Sequence, residues 1–378
     1  MNRDLILVAF ALITWGFGEG LFILFQPLYL EELGASPIAI GVILGGIGIA
    51  MTIAHLPAGY LSDRIGRRPL LFAAWILGVS AIWVMALANT LQVFVLGAAI
   101  YAVTAFVISP LNSYITAARG KLAVGRVLTL TSAAFNVGAI GGPLLGGWIA
   151  ENFGLRYNFI LAGCVFVIST FIIINIRSQP VVDIDLREKR SITREIFTSR
   201  YIRYLTIVFF VMFALYLPQP LSQNFLQNER GVDLSQIGAL ISARSAGGVL
   251  LNLTIGRLSA GLGFVLAQAA MGLFTLIIWH GTGMPWYFLG YLLMGGYQTA
   301  RAMVSAQARS LVDAANMGLA YGTVETVNST AIILAPPLAG YLYSQNPEYI
   351  YSFSFVLICA GILITILFSP IGMKKIKD

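Results

Sequence analysis

Twelve apolar stretches follow one another along this chain, each near or above the roughly 20 residues a helix needs to cross hydrocarbon. They fall at roughly residues 5–28, 37–59, 69–89, 91–116, 127–150, 156–177, 203–226, 235–257, 261–281, 285–308, 316–342 and 349–371. Charged residues are 10% of the 378 and hydrophobic ones 58%, whereas a soluble domain carries roughly 25% charge. A water-soluble core of this length cannot enclose so much apolar surface. Helices are the expected element, because backbone in lipid must satisfy its own hydrogen bonds, and the short alternating strands of a transmembrane barrel are missing from the pattern. The first stretch is too long for a signal-peptide core and lacks a small-residue cleavage site after it, so it is expected to remain as helix 1.

The net charge of +7 does not point to nucleic acid, because its distribution follows membrane topology. Nineteen of the 23 Lys and Arg residues fall at the N-terminus, in even-numbered loops or at the C-terminus. Basic loops stay in the cytoplasm, so both termini are expected to face inward across a cell membrane. Only Arg156 and Arg230 occupy odd-numbered loops. Trp148, Trp279 and Trp286 are then expected at the outer interface. Cys164 and Cys359 fall in helices 6 and 12 and read as packing residues, with no disulfide framework or metal site implied.

The chain repeats itself. At a shift of 197 residues, Gln26 meets Gln223, Glu32 meets Glu229, Gly34 meets Gly231 and Ile40-Gly41 meets Ile237-Gly238. At a shift of 193, Gly142-Pro143-x-x-x-Gly147 meets Ala335-Pro336-x-x-x-Gly340. Conserved order and spacing predict two duplicated bundles of six helices, residues 1–177 and 203–378. A basic cytoplasmic linker, residues 178–202, joins them. Its end, from Thr193 to Arg203, is either a short helix on the inner leaflet or a solvated tether.

Between helices 2 and 3 runs Gly59-Tyr-Leu-Ser-Asp63-Arg64-Ile-Gly66-Arg67-Arg68, a charged turn in a chain with little charge. It resembles the cytoplasmic loop signature of the major facilitator superfamily (MFS), and the resemblance extends over the whole chain. It implies an all-α polytopic fold of twelve transmembrane helices in two pseudo-symmetric bundles, working as a secondary transporter by alternating access. It also implies that Asp63 reaches the start of helix 11, near residues 316–318, when the inner side is shut. Arg64, Arg67 and Arg68 would hold carboxylates and lipid phosphates, and Gly59 and Gly66 would permit close packing and a tight turn. Helix 5 carries Gly138-x-x-x-Gly142-Pro143-x-x-Gly146-Gly147, similar to a motif frequent in the antiporters of that family. Glycines four apart also make a flat face for ordinary helix packing. The chain departs from the family's drug/proton antiporters at helix 4, which lacks the arginine often tied to proton coupling.

Four charges fall inside the apolar spans: Glu19, Arg244, Arg301 and Glu325. Each would cost about 2.5–3.5 kcal/mol if isolated at mid-bilayer, so they are expected to pair or to face a wet cavity. Arg301 and Glu325 lie at similar depth on neighbouring helices. A bridge between them is either a structural lock or a switch in which protonated Glu325 frees Arg301 for an anion. Glu19, among Gly16, Gly18 and Gly20, is the first candidate for a coupling proton and Glu325 the second.

The family's cavity is lined by helices 1, 4, 7 and 10. On them lie the candidate substrate residues Gln26, Tyr101 and Asn112, then Tyr216, Gln219 and Gln223, then Tyr297, Gln298 and Arg301; Arg244 and Asn328 on helices 8 and 11 complete the set. The expected function is proton-coupled efflux of small amphiphilic organic compounds. The alternatives are a symporter or facilitator for an organic anion or sugar, and a membrane receptor or scaffold built on the carrier fold. The expected partners are a small-molecule substrate, protons and membrane lipid, acting on a monomer. No cofactor, metal, nucleic acid or enzymatic activity is implied; a nucleotide-binding Walker loop is missing from the sequence.

Overall fold

The computed structural model describes residues 2–122, 124–178, 198–309, 311 and 317–368. These are helical, with no strand among the described residues. The first half contains α1 (Arg3–Phe22), α2 (Gln26–Glu32), α3 (Pro37–Ile65), α4 (Arg67–Leu87), α5 (Leu91–Val103), α6 (Ile108–Ala118), α7 (Val124–Phe153) and α8 (Arg156–Ile173). The second contains α9 (Ser199–Tyr216), α10 (Ser222–Arg230), α11 (Leu234–Thr254), α12 (Ala260–His280), α13 (Met284–Met294), α14 (Gly296–Arg309), α15 (Met317–Gln345) and α16 (Tyr349–Phe368). Ten spans among the described residues are long and apolar enough to cross a membrane. The tenth expected stretch is divided between α13 and α14, and the eleventh is α15. Large apolar side chains stand on the outside of these helices, including Phe10, Val137, Phe171, Leu253 and Val356. An exposed apolar surface of that extent is stable in lipid and not in water.

The main departure from the expected elements is that four spans are broken. Helix 1 stops at Phe22 and restarts at Gln26, with Pro27 in the first turn of α2. Helix 4 tightens to a 3₁₀ turn over Thr104–Val107 between α5 and α6. Pro110 follows; it has no N–H for the Phe106 carbonyl four residues back. Helix 7 breaks between Tyr216 and Ser222, across Pro218 and Pro220. Helix 10 breaks at Gly295. These are the helices expected to line the cavity. Discontinuous helices expose backbone carbonyls and amides at mid-membrane, which in transporters is where ligands bind.

Local signals fix the helix ends. Asn2 accepts from the Leu5 amide at 2.9 Å and Thr198 from the Tyr201 amide at 3.2 Å, each satisfying a donor the helix leaves unpaired. Gly34 and Gly231, matched in the repeat, both adopt positive φ, 88° and 65°, and close α2 and α10. Gly66, at φ 84°, is the single residue between α3 and α4; a side chain would strain that turn. The two arginines of the odd-numbered loops each cap a helix C-terminus. Arg156 donates to the Ala86 carbonyl at 2.8 Å and Arg230 to the Trp279 carbonyl at 2.5 Å. The dipole at such an end favours a cation.

Two compact units are present. One comprises Met1–Ala35, Gly46–Asp185 and Val232–Ser242; the other comprises Ser36–Gly45, Leu186–Gly231 and Ala243–Asp378. In the first, α7 lies on α1 with backbone against backbone. A β-carbon on Gly142 would come within 2.7 Å of the Gly20 Cα, and one on Gly146 within 2.7 Å of the Leu21 carbonyl oxygen. Gly138 meets the Ile13 carbonyl and Phe17 amide in the same way. Gly147, one residue off this face, meets Gly238 of α11, which also touches the Pro143 carbonyl. The second unit repeats this contact with the matched residues: Gly41 of α3 against the Pro336 carbonyl and Gly340 of α15. The helix 5 motif is therefore occupied in helix packing. Cys164 and Cys359 are free and exposed on the helix surfaces.

Candidate functional site

In the first unit the charged centre is Glu19, on the last turn of α1 before its break. The Tyr101 hydroxyl of α5 donates to Glu19 Oε1 at 2.5 Å. Aromatic rings surround the pair. Trp15, one turn before Glu19, stacks on Phe166 with centroids 4.0 Å apart and on Tyr101 at 6.3 Å, and Phe22 meets Tyr101 edge-on at 5.3 Å. The glycines flanking Glu19 do not leave room for a ligand. Gly16 abuts the Phe135 carbonyl, Gly18 the Phe166 ring and Gly20 Pro143; they let α7 and α8 close around α1.

Gln26 is 4% exposed and its amide donates to the Met85 sulfur at 3.8 Å. Asn112 is exposed and lines a cavity of about 620 Å³ with Arg67, Ser113, Thr116 and Arg119. Arg68 stacks its guanidinium over Phe72 at 4.7 Å and donates to the Ile174 carbonyl at 3.4 Å. The side chains at positions 55–65, with Gly59, Asp63 and Arg64 among them, lie outside the described residues, as do residue 316 and the side chains of 317 and 318, the expected partner region of Asp63, and the linker from 179 to 197.

In the second unit Arg301 Nη2 bonds Glu325 Oε2 at 2.6 Å, so the expected bridge forms between α14 and α15. The side chains are 34% and 50% exposed. Tyr216 and Tyr297 pack with ring centroids 5.5 Å apart. Gln219, in the break of helix 7, donates to the Leu215 carbonyl at 2.8 Å and accepts from Arg244 at 3.2 Å. Gln223 accepts from the Ser222 hydroxyl at 3.3 Å, and that hydroxyl receives the Tyr291 O–H at 3.2 Å. Gln298 is exposed on α14. Asn328 of α15 is fully buried and neither amide atom has a hydrogen-bond partner. Asn158 of α8 is in the same condition and was not foreseen. It follows Arg156 and Tyr157 at a helix start, where a polar residue reads as interfacial.

Long apolar helices, breaks in four of them and ionisable groups held at those breaks describe a polytopic membrane carrier. The chain belongs to the Major Facilitator Superfamily, whose family model matches residues 8–221 and 204–376. It is 24% identical over 371 residues to Multidrug resistance protein 2 of Bacillus subtilis (strain 168), covering 92% of this chain and 90% of that one. It is 25% identical over 173 residues to the "Uncharacterized MFS-type transporter MJ1560" of Methanocaldococcus jannaschii, a match over 46% of this chain and 45% of that protein. Among solved structures, the nucleoside transporter NupG superposes with a TM-score of 0.79 at 14% identity, covering 96% of this chain and 99% of that one. Such a likeness speaks to the fold alone. The chain is an integral membrane transporter of this superfamily.

Proposed function

We propose that this chain exports small amphiphilic organic compounds in exchange for protons, by alternating access of its two six-helix halves, residues 1–177 and 203–378, with both termini cytoplasmic. The observation that carries the reading is Glu19: an ionisable carboxyl inside an apolar span, at a helix break, hydrogen-bonded by the Tyr101 hydroxyl and the Trp15 side chain and walled by aromatic rings. A carboxyl in that setting can take up and release a proton as its surroundings change, and its two charge states supply the coupling. Tyr101 stands on helix 4, where the antiporter arginine is missing, and gives Glu19 a donor without fixing its charge. The similarity to Multidrug resistance protein 2 over 92% of the chain supports export of drug-like compounds. Asp63 and the arginines after it act in this reading as the cytoplasmic gate.

Transport into inside-out proteoliposomes with an imposed pH gradient tests the assignment. Glu19→Gln, which keeps the size and loses the proton site, is expected to abolish gradient-driven accumulation while leaving downhill exchange. Gradient-driven accumulation at the wild-type level would remove Glu19 from the coupling role.

A further inference from the structure

The bridge between Arg301 and Glu325 neutralises one of the two cations in the spans of the second unit. Arg244 is the other. It is partly buried on α11, and among the described residues no carboxylate lies within 4.0 Å of it. Its described hydrogen bond runs to the Gln219 amide oxygen at 3.2 Å. Gln219 is oriented for this, because its own amide nitrogen donates to the Leu215 carbonyl, freed by the break of helix 7, at 2.8 Å. A neutral amide positions a guanidinium without cancelling its charge. Four of the five guanidinium N–H donors stay available beyond that bond.

The neighbourhood is built at a second helix break. A β-carbon on Gly295, the residue between α13 and α14, would lie within 2.8 Å of the Gly248 Cα, so α11 crosses helix 10 in backbone contact there. Arg244 is one turn before Gly248, and Tyr297 is two residues after Gly295. Tyr216, Tyr291 and Tyr297 all lie within electrostatic reach of Arg244. The Tyr297 hydroxyl is buried and has no hydrogen-bond partner. A buried hydroxyl left unsatisfied carries a free-energy penalty that a ligand can relieve. An uncompensated cation in a span carries a larger one.

We propose that Arg244 and Tyr297 form an anion subsite that takes the carboxylate of the transported amphiphile, resting on the export reading above. The guanidinium fork matches a carboxylate in two parallel hydrogen bonds, the tyrosine hydroxyl donates a third, and Tyr216 packs beside the site as an aromatic wall. The preferred substrate is then an organic acid with an apolar body, not a simple lipophilic cation.

Binding to the purified full-length protein is measured by ligand-induced thermal stabilisation with three probes of one shape: 4-phenylbutyrate, its neutral amide and 4-phenylbutylamine. The carboxylate is expected to bind at least about tenfold more tightly than the other two, the scale of one charge-assisted hydrogen bond. Arg244→Gln is expected to erase that preference. Arg244→Lys, keeping the charge and losing the fork, retains part of it and shows that the position tolerates substitution. Tyr297→Phe reduces carboxylate affinity and leaves the amide and amine unchanged. Equal binding of the three probes to wild type, failure of the carboxylate to bind, or a carboxylate preference intact in Arg244→Gln would each overturn the subsite. Proteoliposome flux, measured separately, distinguishes the two readings: carboxylate preference in binding without proton-driven export contradicts the export reading and leaves the subsite standing.

Discussion

Glu19 and Tyr101 show how much one hydroxyl can decide. The carboxyl accepts from the Tyr101 hydroxyl at 2.5 Å, with the Trp15 side chain as a second hydrogen-bond partner. Tyr101→Phe is expected to slow proton-driven export by about tenfold, the kinetic equivalent of one hydrogen bond to a charge, while the protein still purifies folded. Export at the wild-type rate would show that the hydroxyl only fills space. Arg301 and Glu325 call for a double-mutant cycle, because removing one partner strands the other. Either single alanine variant is expected to unfold at lower temperature than the double variant, by about 1 kcal/mol or more. Additive losses would contradict a working bridge. Glu19, Arg301 and Glu325 were legible in sequence because charge in an apolar span is costly. The partner of Glu19 was not, since Tyr101 is 82 positions away and a lone tyrosine in a span has many uses. Gln26 lies on a helix expected to line the cavity, but it follows the break after Phe22 and its amide meets the Met85 sulfur.

At the scale of elements, the lengths and order of the spans follow from hydropathy, but the breaks do not. Hydropathy windows average over about 20 residues, whereas a break occupies one to five. The signals were present locally: Pro27, Pro110, the Pro218–Pro220 pair and Gly295-Gly296. Proline inside a long apolar run is ambiguous, because Pro143 and the Pro336-Pro337 pair sit within α7 and α15 without ending either helix. The glycine stripe of α7 was legible as a motif but open in purpose; the structure spends it on α1 and α11. Gly142→Leu is expected to destabilise the protein by about 2 kcal/mol or more, because the added atoms meet backbone that cannot retreat. Gly46→Ala, on α3 with nothing within 4 Å of an added β-carbon, is expected to be neutral or stabilising by up to about 1 kcal/mol. Thermal unfolding in one detergent compares the two, and equal effects would contradict the packing described for α7.

At the scale of the molecule, the duplication is visible in the coordinates as well as the alignment. Gly41 on Pro336 and Gly340 repeats Gly238 on Pro143 and Gly147, and Gly34 and Gly231 follow matched helices with positive φ. The halves have diverged in chemistry. The first places an acid among aromatic rings; the second places an arginine bridged to a glutamate, an arginine with no carboxylate partner among the described residues and a tyrosine cluster. That asymmetry suits a carrier whose two halves handle the proton and the substrate differently. The most direct test is to record proton and substrate movement together in proteoliposomes loaded with a pH-sensitive dye. Substrate export accompanied by opposite proton flux, lost together in Glu19→Gln, is the predicted result. Substrate crossing the bilayer with no proton movement, or with proton flux unchanged in that variant, would contradict the account.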